Sequence, residues 1–181
     1  MMKAKHFFTA CLLCCCTAAP VFVSCSQKPA PANNAAAEKA ADDAPQYIDF
    51  EMDTPQGAPI KVSDFVSKNK YTLIDFWASW CGPCHAEMPV VIKAYDEYHE
   101  KGLEIVGVSL DSNKASWVRA ISDLNMPWPQ MSDLQGWESE GARLYHVRAI
   151  PTNVLVDQQG RIVAKDLRGE NLLRKLGELM D

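Results

Sequence analysis

Tyr71-Thr72-Leu73-Ile74-Asp75-Phe76-Trp77 is a continuous apolar run whose only charge is Asp75. A strand apolar on both faces must be covered on both faces, as a central parallel strand of an α/β sandwich is. The run leads into Cys81-Gly82-Pro83-Cys84-His85. Beyond that, Met88, Val91, Ile92 and Tyr95 recur at helical spacing, with Gly102 as a stop and Pro89 as an expected kink. A buried strand that feeds a helix through a pair of cysteines constrains the chain more than any other feature.

Cys-x-x-Cys-His attaches c-type haem, and Cys-x-x-Cys is also the dithiol of a redox protein. The junction favours the dithiol. It puts Cys81 at a helix N-terminus, where unpaired amides and the macrodipole favour a thiolate, and Pro83 in the first turn, where its missing N–H is not needed. Haem attachment needs no such strand, and it requires His85 to turn onto the iron beside a second axial ligand. His85 is then expected on the surface beside the cysteines.

The other cysteines sharpen this reading. Lys3 and Lys5 followed by an apolar run from Phe7 to Val23 form a secretory signal over residues 1–24. Its end, Phe22-Val23-Ser24-Cys25, resembles a bacterial lipobox with Phe22 at the usual leucine position, so Cys25 is expected to carry lipid. Of the seven cysteines, Cys11, Cys14, Cys15 and Cys16 leave with the signal, and the folded part keeps only Cys81 and Cys84. Cysteines that close together make a poor staple and a good switch. Residues 25–45 are rich in Ala, Pro and Asn and read as a tether, with a reach of about 25 Å in the coil regime. The domain then spans residues 46–181, and its net negative charge (−5 for the whole chain) leaves no basic stripe for nucleic acid.

Within that domain, Ile48, Phe50 and Met52 alternate with Tyr47, Asp49 and Glu51 as a half-buried strand, and Ile60-Lys61-Val62 forms a second. Ser63 is the expected N-cap of a short helix. Leu103–Leu110 reads as a strand, and residues 115–125 as a helix with Val118, Ile121 and Leu124 on its buried face. Asn153–Val156 and Arg161–Ala164 flank Asp157-Gln158-Gln159-Gly160 as a hairpin, and Leu172–Met180 closes the chain as a helix. Trp117 and Trp137 are expected to pack inside. The fold class is α/β, a mixed sheet sandwiched by helices.

The segment Asp75-Phe76-Trp77-Ala78-Ser79-Trp80-Cys81-Gly82-Pro83-Cys84 resembles the active-site segment of thioredoxin. With Glu87-Met88-Pro89 after it, the chain is similar to the exported TlpA/ResA-like thiol–disulfide oxidoreductases over residues 45–181. The likeness includes Ala149-Ile150-Pro151-Thr152 before a strand and an inserted segment, 112–146, ahead of the Pro151 loop. It implies a thioredoxin-like fold, a cis Ile150–Pro151 bond, and disulfide-bearing protein substrates outside the cytoplasm. In that setting Cys81 attacks and Cys84 resolves, Trp80, Gly82, Pro83, Ile150 and Pro151 line the substrate, and a membrane thiol donor supplies electrons. Asp75 and Glu87 are the candidate bases for Cys84, Glu87 being three residues beyond it on the same helix side. Thioredoxin keeps a buried lysine near its aspartate, and Gly107 stands at that place here. No cofactor beyond the Cys81–Cys84 pair and no metal is expected, and the protein is expected to be a monomer. A related peroxidase would need proline and threonine ahead of its cysteine, where Phe76–Trp80 hold neither. The remaining alternative is an electron- or copper-carrying binding protein using the Cys-x-x-Cys-His segment, for which His146 is the one candidate distant copper ligand.

Overall fold

The computed structural model describes residues 45–181. The leader over 1–24, Cys25 and the tether up to residue 44 lie outside the described residues. Pro45 already belongs to the folded body, since Ile162 N–H donates to its carbonyl (2.8 Å) and Tyr47 N–H donates to Gly160 (2.8 Å).

The apolar run becomes β3, Tyr71–Trp77, buried along nearly its whole length. It is the middle strand of a five-stranded sheet. On one side β3 pairs in parallel with β4, Leu103–Ser109, which pairs in parallel with β5, Gln130–Met131. On the other it pairs antiparallel with β6, Thr152–Asp157, which turns through Gly160 (φ 83°) into β7, Ile162–Lys165. A separate antiparallel pair, β1 (Glu51–Asp53) and β2 (Pro59–Lys61), precedes the sheet. The helices are α1 (Ser63–Val66), α2 (Gly82–Tyr98), α3 (Lys114–Asp123), α4 (Glu140–Leu144) and α5 (Glu170–Met180). Gly102 stops the turn after α2 with φ 108°, a conformation that a side chain would strain.

Strand alternation sends Leu73, Asp75 and Trp77 to one face of β3 and Thr72, Ile74 and Phe76 to the other. Phe76 packs against Tyr145 (5.5 Å between ring centroids), which also meets Phe50 (5.9 Å). Cys84, Met88, Val91 and Ala94 form the buried side of α2.

Several local expectations are corrected. The first strand is confined to Glu51–Asp53; Phe50 and Met52 are buried, but Ile48 is exposed and its backbone is bonded to the Tyr145 hydroxyl. Ser63 is the first residue of α1 rather than its side-chain cap; Asp49 takes its N–H instead (2.8 Å). Helix α3 buries Trp117 and Ala120 and leaves Val118 in solvent, because its apolar stripe is centred one residue earlier than the aliphatic residues suggest. Pro89 falls inside helix α2, as its place in the sequence suggests.

Candidate functional site

The cysteines close into a Cys81–Cys84 disulfide where β3 hands over to α2. Cys81 is the N-cap of α2, with extended backbone, and its Sγ accepts the Cys84 N–H (3.2 Å), an amide the first turn leaves without a helical partner. Pro83 takes the first turn as expected. Cys81 keeps 4% of its surface and Cys84 1%, so the outer cysteine is the more accessible. Trp80, Gly82 and Pro83 are exposed around the pair, and so is His85.

The opposing wall is the loop ahead of β6. The Ile150–Pro151 peptide is cis, and the Ile150 carbonyl oxygen lies 3.7 Å from Cys81 Sγ. This loop is tied to the segment joining β7 to α5. Asn153 exchanges hydrogen bonds with Leu167 (Nδ2 to O 2.7 Å, N to Oδ1 2.9 Å), the Thr152 hydroxyl donates to Asp166, and the Arg168 guanidinium donates to the Pro151 carbonyl. Glu87 completes the tie from α2, accepting the Gly169 N–H (2.5 Å) at the start of α5.

Asp75 lies in this frame, 4% exposed, with Gly107 and Asn153 as register partners on either side. Burial pushes its carboxyl up to about 7; the nearby Glu87 adds to the rise, and Arg168 opposes it. The expected gap at Gly107 is filled from another strand. A Cβ there would sit 2.2 Å from Gln130 Oε1, so the buried Gln130 amide occupies the room a side chain would need. Gln130 also accepts the Trp77 indole N–H (3.0 Å). A neutral amide thus fills the space beside Gly107, and the cation that Asp75 feels comes from Arg168 after β7.

The loop into Cys81 is held from behind. Asp111, buried past the end of β4, accepts the Ser79 N–H (2.9 Å), the Ser79 hydroxyl (2.5 Å) and the Ser109 hydroxyl (2.8 Å). Trp137 is a correction: it is 47% exposed and packs at a tilt against Trp80 (6.0 Å between centroids, 52° between ring planes), because the turn Gly136–Glu138 carries it out of the insertion onto the rim. His146 lies exposed, lining cavities with Arg143 and Arg148. Among the described residues, no group of three or more His, Cys, Asp or Glu is placed to hold a metal ion.

Sequence reasoning missed Arg168, Asp111, Gln130 and Trp137 as site residues. Each reaches the cysteines by topology and not by neighbourhood in the chain. Only Asp111, a lone acid closing an apolar strand, left a signal comparable to that of Asp75.

A disulfide that caps a helix and faces a cis-proline loop, on a thioredoxin-like fold, defines a thiol–disulfide oxidoreductase. The profile of the AhpC/TSA family matches residues 41–165, and the chain belongs to that family. The thiol-disulfide oxidoreductase ResA of Bacillus thuringiensis subsp. konkukian is 29% identical over 138 residues, 76% of this chain and 75% of that protein. A thiol-disulfide oxidoreductase from Bacteroides fragilis superposes with a TM-score of 0.70 at 34% identity, covering 75% of this chain and 99% of that one. The thioredoxin domain of a thiol-disulfide oxidoreductase from Bacteroides vulgatus gives 0.70 at 30%, covering 76% and 97%.

Proposed function

We propose that the protein reduces the disulfides of other proteins outside the cytoplasm, as a lipid-tethered monomer with no cofactor beyond Cys81–Cys84. The observation that carries the reading is the Cys81 sulfur, capping α2 and facing the Ile150 carbonyl. A substrate segment laid along the cis-proline loop, as an added strand on Ile150, brings its disulfide to that sulfur.

In the reduced protein the Cys81 thiolate attacks one sulfur of the substrate disulfide. A mixed disulfide forms and the other substrate sulfur leaves as a thiolate. Cys84 then gives its proton to a base and attacks Cys81 Sγ; the second substrate thiolate leaves and the Cys81–Cys84 disulfide remains. Two electrons pass to the substrate, and a membrane thiol donor restores the dithiol. Asp75 is the base we favour, because burial raises its carboxyl to about 7, where it takes up a proton near neutral pH. Glu87 is committed to the Gly169 amide and shares the role only through its charge.

Reduction, as against oxidation, is supported by the Gly82-Pro83 dipeptide, which thioredoxin also has between its cysteines. Export and tethering are supported by the signal-like residues 1–24 and by Cys25; among the described residues no helix is long and apolar enough to cross a membrane. The direction is tested by equilibrating the Cys81–Cys84 couple with glutathione or dithiothreitol. A reductant lies near thioredoxin's value of about −270 mV, and a potential near the roughly −120 mV of DsbA would reverse the assignment. Mass spectrometry of the membrane fraction tests the anchor, with a diacylated N-terminal peptide beginning at Cys25 as the expected product.

A further inference from the structure

The chain is acidic, yet its guanidinium groups without a salt-bridge partner gather at one place among the described residues. Arg119, Arg161 and Arg174 each hold a carboxylate within four residues of themselves. Arg143, Arg148 and Arg168 form no salt bridge among the described residues, and all three are exposed. Arg148 and Arg168 line a cavity of about 360 Å³ together with Lys165, Ala149 and Thr152, against both ends of the Ile150–Pro151 peptide. A second cavity of about 360 Å³ runs from Trp137 past Arg143 to the same Arg148. Trp137 packs at a tilt against Trp80, the neighbour of Cys81, so an aromatic step and a cationic rim form one continuous band beginning at the disulfide. The charged residues lining these cavities are Arg143, Arg148, Lys165 and Arg168 against Asp166, which accepts the Thr152 hydroxyl, and Glu140, while Glu138 lies exposed beside Trp137 and Glu87 accepts the Gly169 N–H.

We infer that this band selects substrates whose reactive cysteine is flanked by acidic residues, an extended carboxylate-bearing polypeptide segment running from Trp80 and Trp137 along Arg143 and Arg148 toward Arg168. The inference rests on the oxidoreductase reading above and names its substrate class. Guanidinium groups suit carboxylates because their planar fork donates two parallel hydrogen bonds. An acidic protein repels an acidic segment at long range, and a local group of unpaired arginines is what reverses that sign at the docking surface.

The test uses three synthetic peptides with the same intrachain disulfide, flanked by Asp and Glu, by Asn and Gln, or by Lys. Stopped-flow rates of their reduction by the reduced protein are divided by the rate of each peptide with dithiothreitol. That ratio removes the effect of flanking charge on the peptide thiols. Two exposed charge pairs are worth roughly fivefold to tenfold together, so the normalised rate for the acidic peptide exceeds that for the neutral one by about that factor at low salt. The preference fades toward unity at about 1 M salt, where the screening length is roughly 3 Å. Arg143→Gln with Arg148→Gln abolishes it, and Arg148→Glu shifts the preference toward the Lys-flanked peptide. Equal normalised rates for the three peptides overturn the inference while leaving the oxidoreductase reading intact, and so does a preference that survives the double variant. Binding of the protein to anionic lipid vesicles through the same arginines, without peptide preference, reassigns the rim to a membrane surface. Failure to reduce any of the peptides overturns both readings.

Discussion

Replacing Asp75 by Asn keeps the shape of a buried side chain and removes its titration. Burial lifts the Asp75 carboxyl from 3.8 to about 7 in the folded protein, while the unfolded chain returns it to the ordinary value. Between those two values the folded state binds a proton that the unfolded state has released. Stability therefore falls as pH rises through this window and levels off above about 7. Each pH unit is worth about 1.36 kcal/mol, so the full window amounts to about 4 kcal/mol. Asp75→Asn has no such penalty. Urea denaturation of the oxidised proteins, in which the disulfide keeps Cys81 and Cys84 from titrating, measures the difference. The two proteins are expected to converge near pH 4, and the variant to be the more stable by about 2–4 kcal/mol at pH 8. If the two curves run parallel from pH 4 to 9, the carboxyl is not desolvated and its assignment as a proton acceptor falls with it. The same substitution slows resolution of the mixed disulfide by about 10²–10⁴-fold while sparing the first attack, since a general base serves only the step in which its proton moves.

Cys84→Ser removes the resolving thiol, and the protein accumulates mixed disulfides through Cys81, visible on non-reducing gels; Cys81→Ser accumulates none, and equal trapping by both would reverse their roles. Gly107→Ala drives a Cβ into the Gln130 amide, which cannot swing aside without releasing the Trp77 indole. It costs about 1–3 kcal/mol in urea denaturation, and Gln130→Ala in the same chain relieves part of that loss by a non-additive amount.

The sheet and the disulfide were legible in the sequence because their signals are local. Tyr71–Trp77 is a strand with the bounds its apolar run suggests, since a segment buried on both faces has no polar end to blur. The hairpin at Asp157–Gly160 was legible for the same reason, through a turn glycine with positive φ. The walls of the site were not. Arg168 reaches Pro151 because Asn153 clamps Leu167, and Gln130 fills the space above Gly107 because β5 pairs there. Neither relation leaves a periodicity in the chain. Trp137 was misplaced because a tryptophan is packed more often than it is displayed, and the insertion displays this one.

Arg168 joins the two halves of the site, since it holds the Pro151 carbonyl and its charge lowers the proton affinity of Asp75. A carboxylate of an arriving acidic segment, paired with that guanidinium, would cancel part of its field at Asp75. Proton affinity at Asp75 would then rise once substrate is docked, when Cys84 has to lose its proton. Arg168→Gln imitates that cancellation permanently. Removing a cation disfavours the charged carboxylate, so the inflection that Asp75 gives to the rate of resolution moves above about 7. Arg168→Lys keeps the charge and restores the inflection toward the wild-type position. The measurement is single-turnover resolution of a preformed Cys81 mixed disulfide from pH 5 to 9, with Asp75→Asn marking the profile without the group. An Arg168→Gln profile superimposable on wild type, in a protein whose inflection Asp75→Asn abolishes, would show that the two halves act independently.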